Sequence, residues 1–140
     1  MKFGKVLRNF KIRWYEDTII NTLANPMVHV LKRMRIGNSK LRSHWNKGKS
    51  KMCLQCKDNK EETNKHFLLE CKKYVEQRKE LKSDVIDDLG KLGKNITTKN
   101  LLGFFPDVYL SKIKAKKRNK IISKILNNVV NYISKTKRFQ

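Results

Sequence analysis

The sequence predicts a mainly α protein, in which a small helical domain is built around a cluster of cysteine and histidine side chains and a long helix follows it. Three observations predict this fold class. Apolar residues recur at helical spacing in most segments, and Gly, Pro or Asn separates one such segment from the next. All three cysteines and one of the three histidines fall between residues 53 and 71. From residue 108 to residue 136 the apolar residues keep one helical phase.

The N-terminal stretch combines basic and apolar residues. Four apolar positions recur at helical spacing: Phe3, Leu7, Phe10 and Trp14. This pattern favours either an amphipathic helix whose opposite face is cationic or an N-terminal segment without a stable fold. A short helical segment through Ile19 and Leu23 follows, and Asn25-Pro26 ends it. We therefore interpret residues 1–26 as a basic N-terminal extension.

Two helices are predicted next, separated by a clear stop signal. The first covers residues 27–36, and Gly37-Asn38 ends it because Gly adopts the left-handed conformation that follows a helix. Ser39 is a suitable N-cap for the second, short helix, which reaches Trp45 and ends at Lys47-Gly48.

This region is strongly cationic and contains no Asp or Glu from residue 27 to residue 51. Its Arg and Lys side chains suit phosphate contacts, and Trp45 suits stacking on a base. An equal alternative is that Trp45 packs beside the turn that contains Cys53 and Cys56. The candidate nucleic-acid-binding residues are Lys32, Arg33, Arg35, Lys40, Arg42, Trp45, Lys47, Lys49 and Lys51.

The cysteines follow in the spacing C-x2-C-x9-H-x4-C. Cys53 and Cys56 can aim two thiolates at one point from a tight turn, and His66 and Cys71 supply two more ligands. Three thiolates and one imidazole suit one tetrahedral Zn²⁺ with no open position. The sequence thus predicts a Cys-Cys-His-Cys zinc knuckle with a structural metal.

The second ligand pair constrains the local helix. Positions five apart on a straight α-helix lie about 140° apart around its axis. We therefore expect His66 at or just before a helix start, with Cys71 one turn in and Thr63 as the N-cap. The alternative is that Cys71 is a core residue on an apolar stripe with Phe67 and Tyr74, and that His66 is solvated.

Acidic residues are concentrated after the first cysteines and alternate with Lys and Arg along the helix that follows His66. Spacings such as Glu76 to Lys79 are those of neighbours on an exposed helix face, so we expect a solvated helix. Ser83 or Asp84 is predicted to cap a further short helix that ends at Gly90, and another helical turn is predicted after Thr97.

The last element is predicted as one helix over residues 108–136, with Asp107 as its cap. Its predicted apolar stripe consists of Leu110, Ile113, Ile121 or Ile122, Ile125, Leu126, Val129 and Ile133. No acidic residue follows Asp107, and Lys and Arg cover the other face. The predicted organisation is therefore a zinc-binding helical module over residues 27–106 and a long basic helix over residues 107–140 that packs on it.

The composition restricts the class of partner. Lys and Arg number 34 against 12 Asp and Glu, which gives a formal net charge of +22. Nucleic acid is the first candidate partner for such a charge, and an anionic membrane surface is second. The alternative is that an AT-rich genome encodes many Lys and Asn residues, which raises the basic content of the protein without a function. Three cysteines at metal spacing argue against a disulfide scaffold, so we expect a reducing interior, nucleus or cytoplasm.

Three stretches together resemble a known family. Residues 31–41 resemble the block R-x-R-(T/I)-G-H-(S/T)-x-L found towards the C-terminus of non-LTR retrotransposon polyproteins. The segment from Cys53 to Arg78 is similar to that family's C-x2-C … H-x-L-x-x-C-x-x-(Y/F)-x-x-x-R zinc segment, and residues 100–103 and 132–139 resemble its tail. The resemblance covers about residues 27–139. Asn38 departs from the pattern, which often has His at this position.

The resemblance implies a C-terminal, zinc-binding part of a retroelement reverse transcriptase protein that binds RNA or DNA, with Cys53, Cys56, His66 and Cys71 as ligands. No pair or group of carboxylates in the sequence matches a polymerase, RNase H or nuclease, so we expect no catalytic activity. The alternative is a structural or interaction protein that packs on a polymerase body or dimerises. The apolar stripe of the last helix discriminates between the two, because an exposed stripe would indicate a missing protein partner.

Overall fold

The structure is a computed structural model that describes residues 19–45, 50–105 and 113–140. The helices in chain order are α1 (Val28–Arg35), α2 (Arg42–Trp45), a π-helical turn (His66–Glu70), a 3₁₀ turn (Lys72–Tyr74), α3 (Val75–Lys91), α4 (Thr98–Leu101) and α5 (Ala115–Thr136). The mainly α fold class is confirmed, as is the long C-terminal helix. Within the described ranges β pairing is limited to one antiparallel bridge between Met52 and Glu61. The predicted N-terminal pattern from Phe3 to Trp14 lies outside these ranges.

The end of α1 shows why this helix stops where the sequence predicts. Gly37 has φ +72°, the left-handed conformation that costs an L-residue with a side chain extra energy. Its N–H donates to the carbonyl of Met34, and the N–H of Asn38 donates to the carbonyl of Arg33. These two bonds form a Schellman motif, which satisfies carbonyls that the helix end leaves without partners. The chain then turns into α2, which is shorter than predicted and begins at Arg42.

Helix α3 corrects the prediction of two helices in this region. It runs without a break for 17 residues through Ser83 and Asp84, which therefore cap nothing. The reason is tertiary packing, because Leu81, Val85 and Leu89 recur on one face and are at most 2% exposed. A continuous helix keeps all three in the core, and that burial outweighs the weak local preference for a cap.

Helix α5 is also shorter than predicted. It begins at Ala115, after the extended residue Lys114, so Ile113 precedes the helix instead of lying on its stripe. Asp107 and Leu110 lie outside the described residues. The remaining positions of the stripe are confirmed, and Val130 and Tyr132 are buried with them.

The core lies between α3 and α5, with α1, α4 and the π-helical turn closing it on other sides. Ile19 and Ile20 contribute to the same core from the N-terminal side, and Asn25 donates hydrogen bonds to Asn131 and Ser134 on α5. Thus residues on both sides of the cysteine segment converge on the last helix. None of the helices described is both long enough and apolar enough to cross a membrane.

Candidate metal centre and basic surface

Cys53 and Cys56 lie in a tight loop whose base is held by backbone hydrogen bonds. The N–H of Cys53 donates to the carbonyl of Lys60 at 2.7 Å, and the N–H of Glu62 donates to the carbonyl of Lys51 at 2.9 Å. Within the loop the N–H of Gln55 points at Cys53 Sγ, 3.4 Å away. The turn thus directs both sulfurs to the same side, as the two-residue spacing predicts.

His66 and Cys71 are brought together by a π-helical turn. The N–H of Cys71 donates to the carbonyl of His66 at 2.7 Å, an i→i+5 bond between the two ligand residues themselves. Cys71 then has ψ 123°, so the helix is interrupted at the ligand. The Thr63 cap is confirmed, since its Oγ1 accepts from the N–H of His66 at 3.1 Å. The placement of Cys71 inside a helix is wrong, because the chain widens and breaks there instead.

The four predicted ligand atoms form one compact cluster. They lie within 4.8 Å of one another, with Cys53 Sγ 3.9 Å from Cys71 Sγ and Cys56 Sγ 3.4 Å from His66 Nε2. A tetrahedral Zn²⁺ with bonds of about 2.3 Å to sulfur and about 2.0 Å to nitrogen separates two sulfurs by roughly 3.8 Å and sulfur from nitrogen by roughly 3.5 Å. The residues therefore fit a tetrahedral metal ion, and this group can hold one.

Burial makes a metal cation the natural partner of these thiols. Burial raises the pKa of the Cys71 thiol to about 12, and it raises the pKa of Cys53 as well. Thiolates at such positions need a neighbouring positive charge, which a divalent cation supplies directly. The alternative in which Cys71 is only a core residue does not explain why two more thiols and an imidazole converge on it.

The second ring nitrogen of His66 faces a carboxylate. Nδ1 is buried and without a hydrogen-bond partner, and it lies 3.8 Å from Oε1 of Glu70 one turn later. A histidine that binds metal through Nε2 commonly donates Nδ1–H to such a group, which fixes its tautomer. Glu70 is therefore placed to orient the ligand.

Side chains from α3 and α5 satisfy the carbonyls that the π-helical turn leaves free. Because the N–H of Cys71 bonds to His66, the carbonyl of Phe67 loses its α-helical partner, and the hydroxyl of Tyr132 donates to it at 2.5 Å. Arg78 donates to the carbonyls of Leu68 at 3.1 Å and Cys71 at 2.6 Å. The unusual turn is thus fixed by two distant side chains.

A buried ion pair lies beside Cys53. Glu62 is 1% exposed, with Oε2 3.9 Å from Cys53 Sγ, and the guanidinium of Arg138 binds both of its oxygens at 2.9 and 2.6 Å. Glu62 also accepts from the N–H of Arg42, while Arg138 donates to the carbonyl of Lys40. This pair joins the metal loop, the end of α5 and the basic α1–α2 connection.

The sequence analysis missed these supporting residues. It treated Arg78 and Asp88 as charges of a solvated helix, whereas they are 7% and 6% exposed, and it assigned no role to Glu62, which is 1% exposed. The sequence around a charged residue does not reveal a partner far away in the chain. The one indication was the position of Arg78, which matches the Arg of the zinc segment that this chain resembles. The surface pair Lys79–Glu76 does form as predicted, at 3.5 Å.

The predicted basic residues occupy different environments. Four are exposed: Lys32, Arg33, Lys40 and Lys51. Arg35 stacks on the ring of Phe104, 4.6 Å from its centroid, and Arg42 donates to the carbonyl of Ser50 at 2.8 Å. Lys47, Lys49 and the side chain of Trp45 lie outside what the structure describes.

Comparisons of the chain with protein-family models, with curated proteins and with solved structures found no match. The resemblance to retrotransposon zinc segments therefore stays a prediction carried by the quoted motifs.

Proposed function

We propose that this chain is a zinc-stabilised nucleic-acid-binding module without catalytic activity of its own. The observation that carries the proposal is the charge distribution over α1 and the connection that follows it. Exposed Lys and Arg side chains line α1 and the connection after it, and no acidic residue occurs from residue 18 to residue 57 or after Asp107. Such a surface repels itself unless a polyanion neutralises it.

Zinc is the proposed metal because of the donor set. Three sulfurs and one imidazole nitrogen are soft or borderline ligands, whereas Mg²⁺ and Ca²⁺ require oxygen donors. With four protein ligands the ion has no position for a substrate or an activated water, so its role here is structural. Zinc–thiolate ligation also requires reduced cysteines, which supports a location in the nucleus or cytoplasm.

The proposed origin is the C-terminal, zinc-binding part of a retroelement reverse transcriptase protein. Support for it comes from the order of the motifs in residues 31–41 and 53–78, and from the cluster that the second motif forms. In this setting the module holds RNA or DNA by phosphate contacts, and Trp45 is the predicted stacking residue.

A second candidate function is that of a structural protein that packs on a polymerase body or dimerises. Its discriminating feature is the apolar stripe of α5, from Ile121 to Ile133, and this stripe is buried within the chain against α3 and its neighbours. The described part of this helix therefore does not present the exposed apolar face that a missing protein partner would cover. This observation favours the nucleic-acid proposal.

The test is a salt series of RNA and DNA binding with the metal content measured in the same sample. We expect one zinc per chain and an affinity that falls steeply as salt rises, with a log–log slope of about −0.7 to −0.9 per phosphate contact. Replacing Lys32, Arg33, Lys40 and Lys51 with Ala should flatten the slope. The matched control replaces four exposed lysines that alternate with acids, Lys72, Lys73, Lys79 and Lys82. Binding that does not depend on salt contradicts the proposal.

A further inference from the structure

A small groove lies where α1, the connection after it and the C-terminal residues meet. Six residues line it: His29, Val30, Arg33, Ser39, Lys40 and Phe139. None of these lining residues is acidic. The groove therefore combines cationic groups at its rim with an apolar side chain and an aromatic ring.

Its cationic side is formed by residues that the backbone places together. His29 and Arg33 are one turn apart on α1 and share a face. His29 Nδ1 is bound to the carbonyl of Pro26 at 2.5 Å, so Nε2 is the ring nitrogen that a ligand can engage. Lys40, on the connection to α2, lines the same groove.

The groove is preorganised by contacts to the metal-binding segment. The carbonyl of Lys40 accepts from Arg138 at 3.1 Å, and Arg138 is fixed on Glu62 beside Cys53. The rings of Phe139 and Phe67 pack in a T-shaped arrangement with their centroids 5.3 Å apart, and the Arg138 guanidinium lies over the Phe139 ring, 5.6 Å from its centroid. Both walls are therefore held before any ligand arrives, which lowers the entropic cost of binding.

The size of the groove indicates which ligand it takes. Its volume is about 140 Å³, well below the roughly 300–1,000 Å³ of pockets that bury a whole small molecule. It suits one unit of a longer chain that continues over the neighbouring basic surface, where Lys32 is exposed. An aromatic ring next to cations matches a base and its phosphate, and only an unpaired base is free to stack.

We propose that this groove is a single-strand subsite that holds one nucleotide, with its phosphate between Arg33 and Lys40 and its base against Phe139. This rests on the nucleic-acid binding proposed above and adds to it a place and a strand preference. His29 lines the groove beside Arg33, and Val30 contributes an apolar side chain to it.

The test compares single-stranded and duplex oligonucleotides of equal length on the zinc-loaded full chain. The double variant Arg33→Ala/Lys40→Ala should weaken single-strand binding at least about tenfold. It should also reduce the log–log salt slope by the equivalent of roughly 1–2 phosphate contacts. The control Lys79→Ala/Lys82→Ala removes the same charge from α3 and should cost less than about threefold. Phe139→Leu keeps apolar packing against Phe67 but removes the aromatic ring on which a base stacks. We expect this variant to bind single strands about 5- to 100-fold more weakly than the wild-type chain and to bind duplex almost as well.

A second readout does not depend on how stable the variants are. Photo-cross-linking of a 4-thiouridine oligonucleotide to the unmodified chain, followed by peptide mass spectrometry, should place the cross-link on Phe139 or its neighbours. If the wild-type chain binds with salt dependence but the Arg33/Lys40 and Lys79/Lys82 variants behave alike and the cross-link falls elsewhere, the groove inference is overturned and the proposed function stands. If the wild-type chain binds no nucleic acid, both fail.

Discussion

Glu62 is almost fully buried, at 1% exposure. Glu is rarely fully buried without a partner, and here the partner is Arg138, 76 positions later in the chain. We expect Arg138→Met to destabilise the fold by roughly 3 kcal/mol, because it leaves a buried carboxylate without its counter-charge. The measurement is urea unfolding of the zinc-loaded chain.

The control for this variant is Lys135→Met. Lys135 pairs with Glu80, but both side chains are about half exposed, at 49% and 54%. Exposed pairs contribute about 0–1 kcal/mol, so this variant should unfold close to wild type. Equal losses for the two variants would show that the Glu62–Arg138 pair carries no special energy.

Glu70 supports a second prediction at the residue scale. If its carboxylate orients His66 through Nδ1, then Glu70→Gln should lower zinc affinity by about 10–100-fold while the helices persist. Competition with a chromophoric chelator measures the affinity, and circular dichroism reports the helices. Glu76→Gln is the control, because Glu76 is exposed and pairs with Lys79 on the surface. If Glu70→Gln binds zinc with the affinity of the wild-type chain, Glu70 does not orient His66.

At the scale of elements, two glycines should respond to Ala with opposite signs. Gly103 has φ +85°, and a Cβ there would lie 3.0 Å from Cδ2 of Leu126 on α5. Gly103→Ala should therefore cost about 1–2 kcal/mol from the backbone alone, and more from the contact. Gly90 lies in α3 with no atom near its absent Cβ, so Gly90→Ala should stabilise by up to about 0.5–1 kcal/mol. Thermal unfolding of both variants tests this, and a shift of the same sign in both would contradict it.

Local chemistry explains which elements the sequence could predict. The end of α1 at Gly37 and the cap at Thr63 depend on residues within a few positions, and both were predicted correctly. The π-helical turn was not, because it depends on donors from Arg78 and Tyr132 on other helices. Likewise Ser83-Asp84 has the residues of a cap, but the packing of α3 on α5 overrides it.

The candidate site divides in the same way. The ligand positions Cys53, Cys56, His66 and Cys71 followed from spacing, since a metal demands a fixed number and type of donors. Their supports, Glu62 and Arg138, did not, because the sequence contains 34 Lys and Arg residues and nothing local shows that Arg138 pairs with the buried Glu62.

At the scale of the whole molecule, the metal and the hydrophobic core should stabilise different parts. The cysteine loop contributes little to the core, since residues 54–61 are exposed or half-buried. By contrast α5 buries nine residues. Structural zinc sites supply about 10–16 kcal/mol of apparent binding energy, comparable with the roughly 5–15 kcal/mol stability of a domain. We therefore expect the loop to depend on a bound ion more than the helices do.

We accordingly expect chelation, or Cys53→Ser, to unfold the region around residues 50–82 and to leave α5 partly formed. A 22-residue helix retains some helicity alone, whereas a metal loop without its ion has no other source of order. Circular dichroism melts with and without a strong chelator measure the loss. Leu54→Ser is the matched control, because it introduces the same residue at the adjacent, 61% exposed position of the turn and removes no ligand. If the melt is the same with and without the chelator, the four side chains come together without a metal, and a metal does not stabilise the fold.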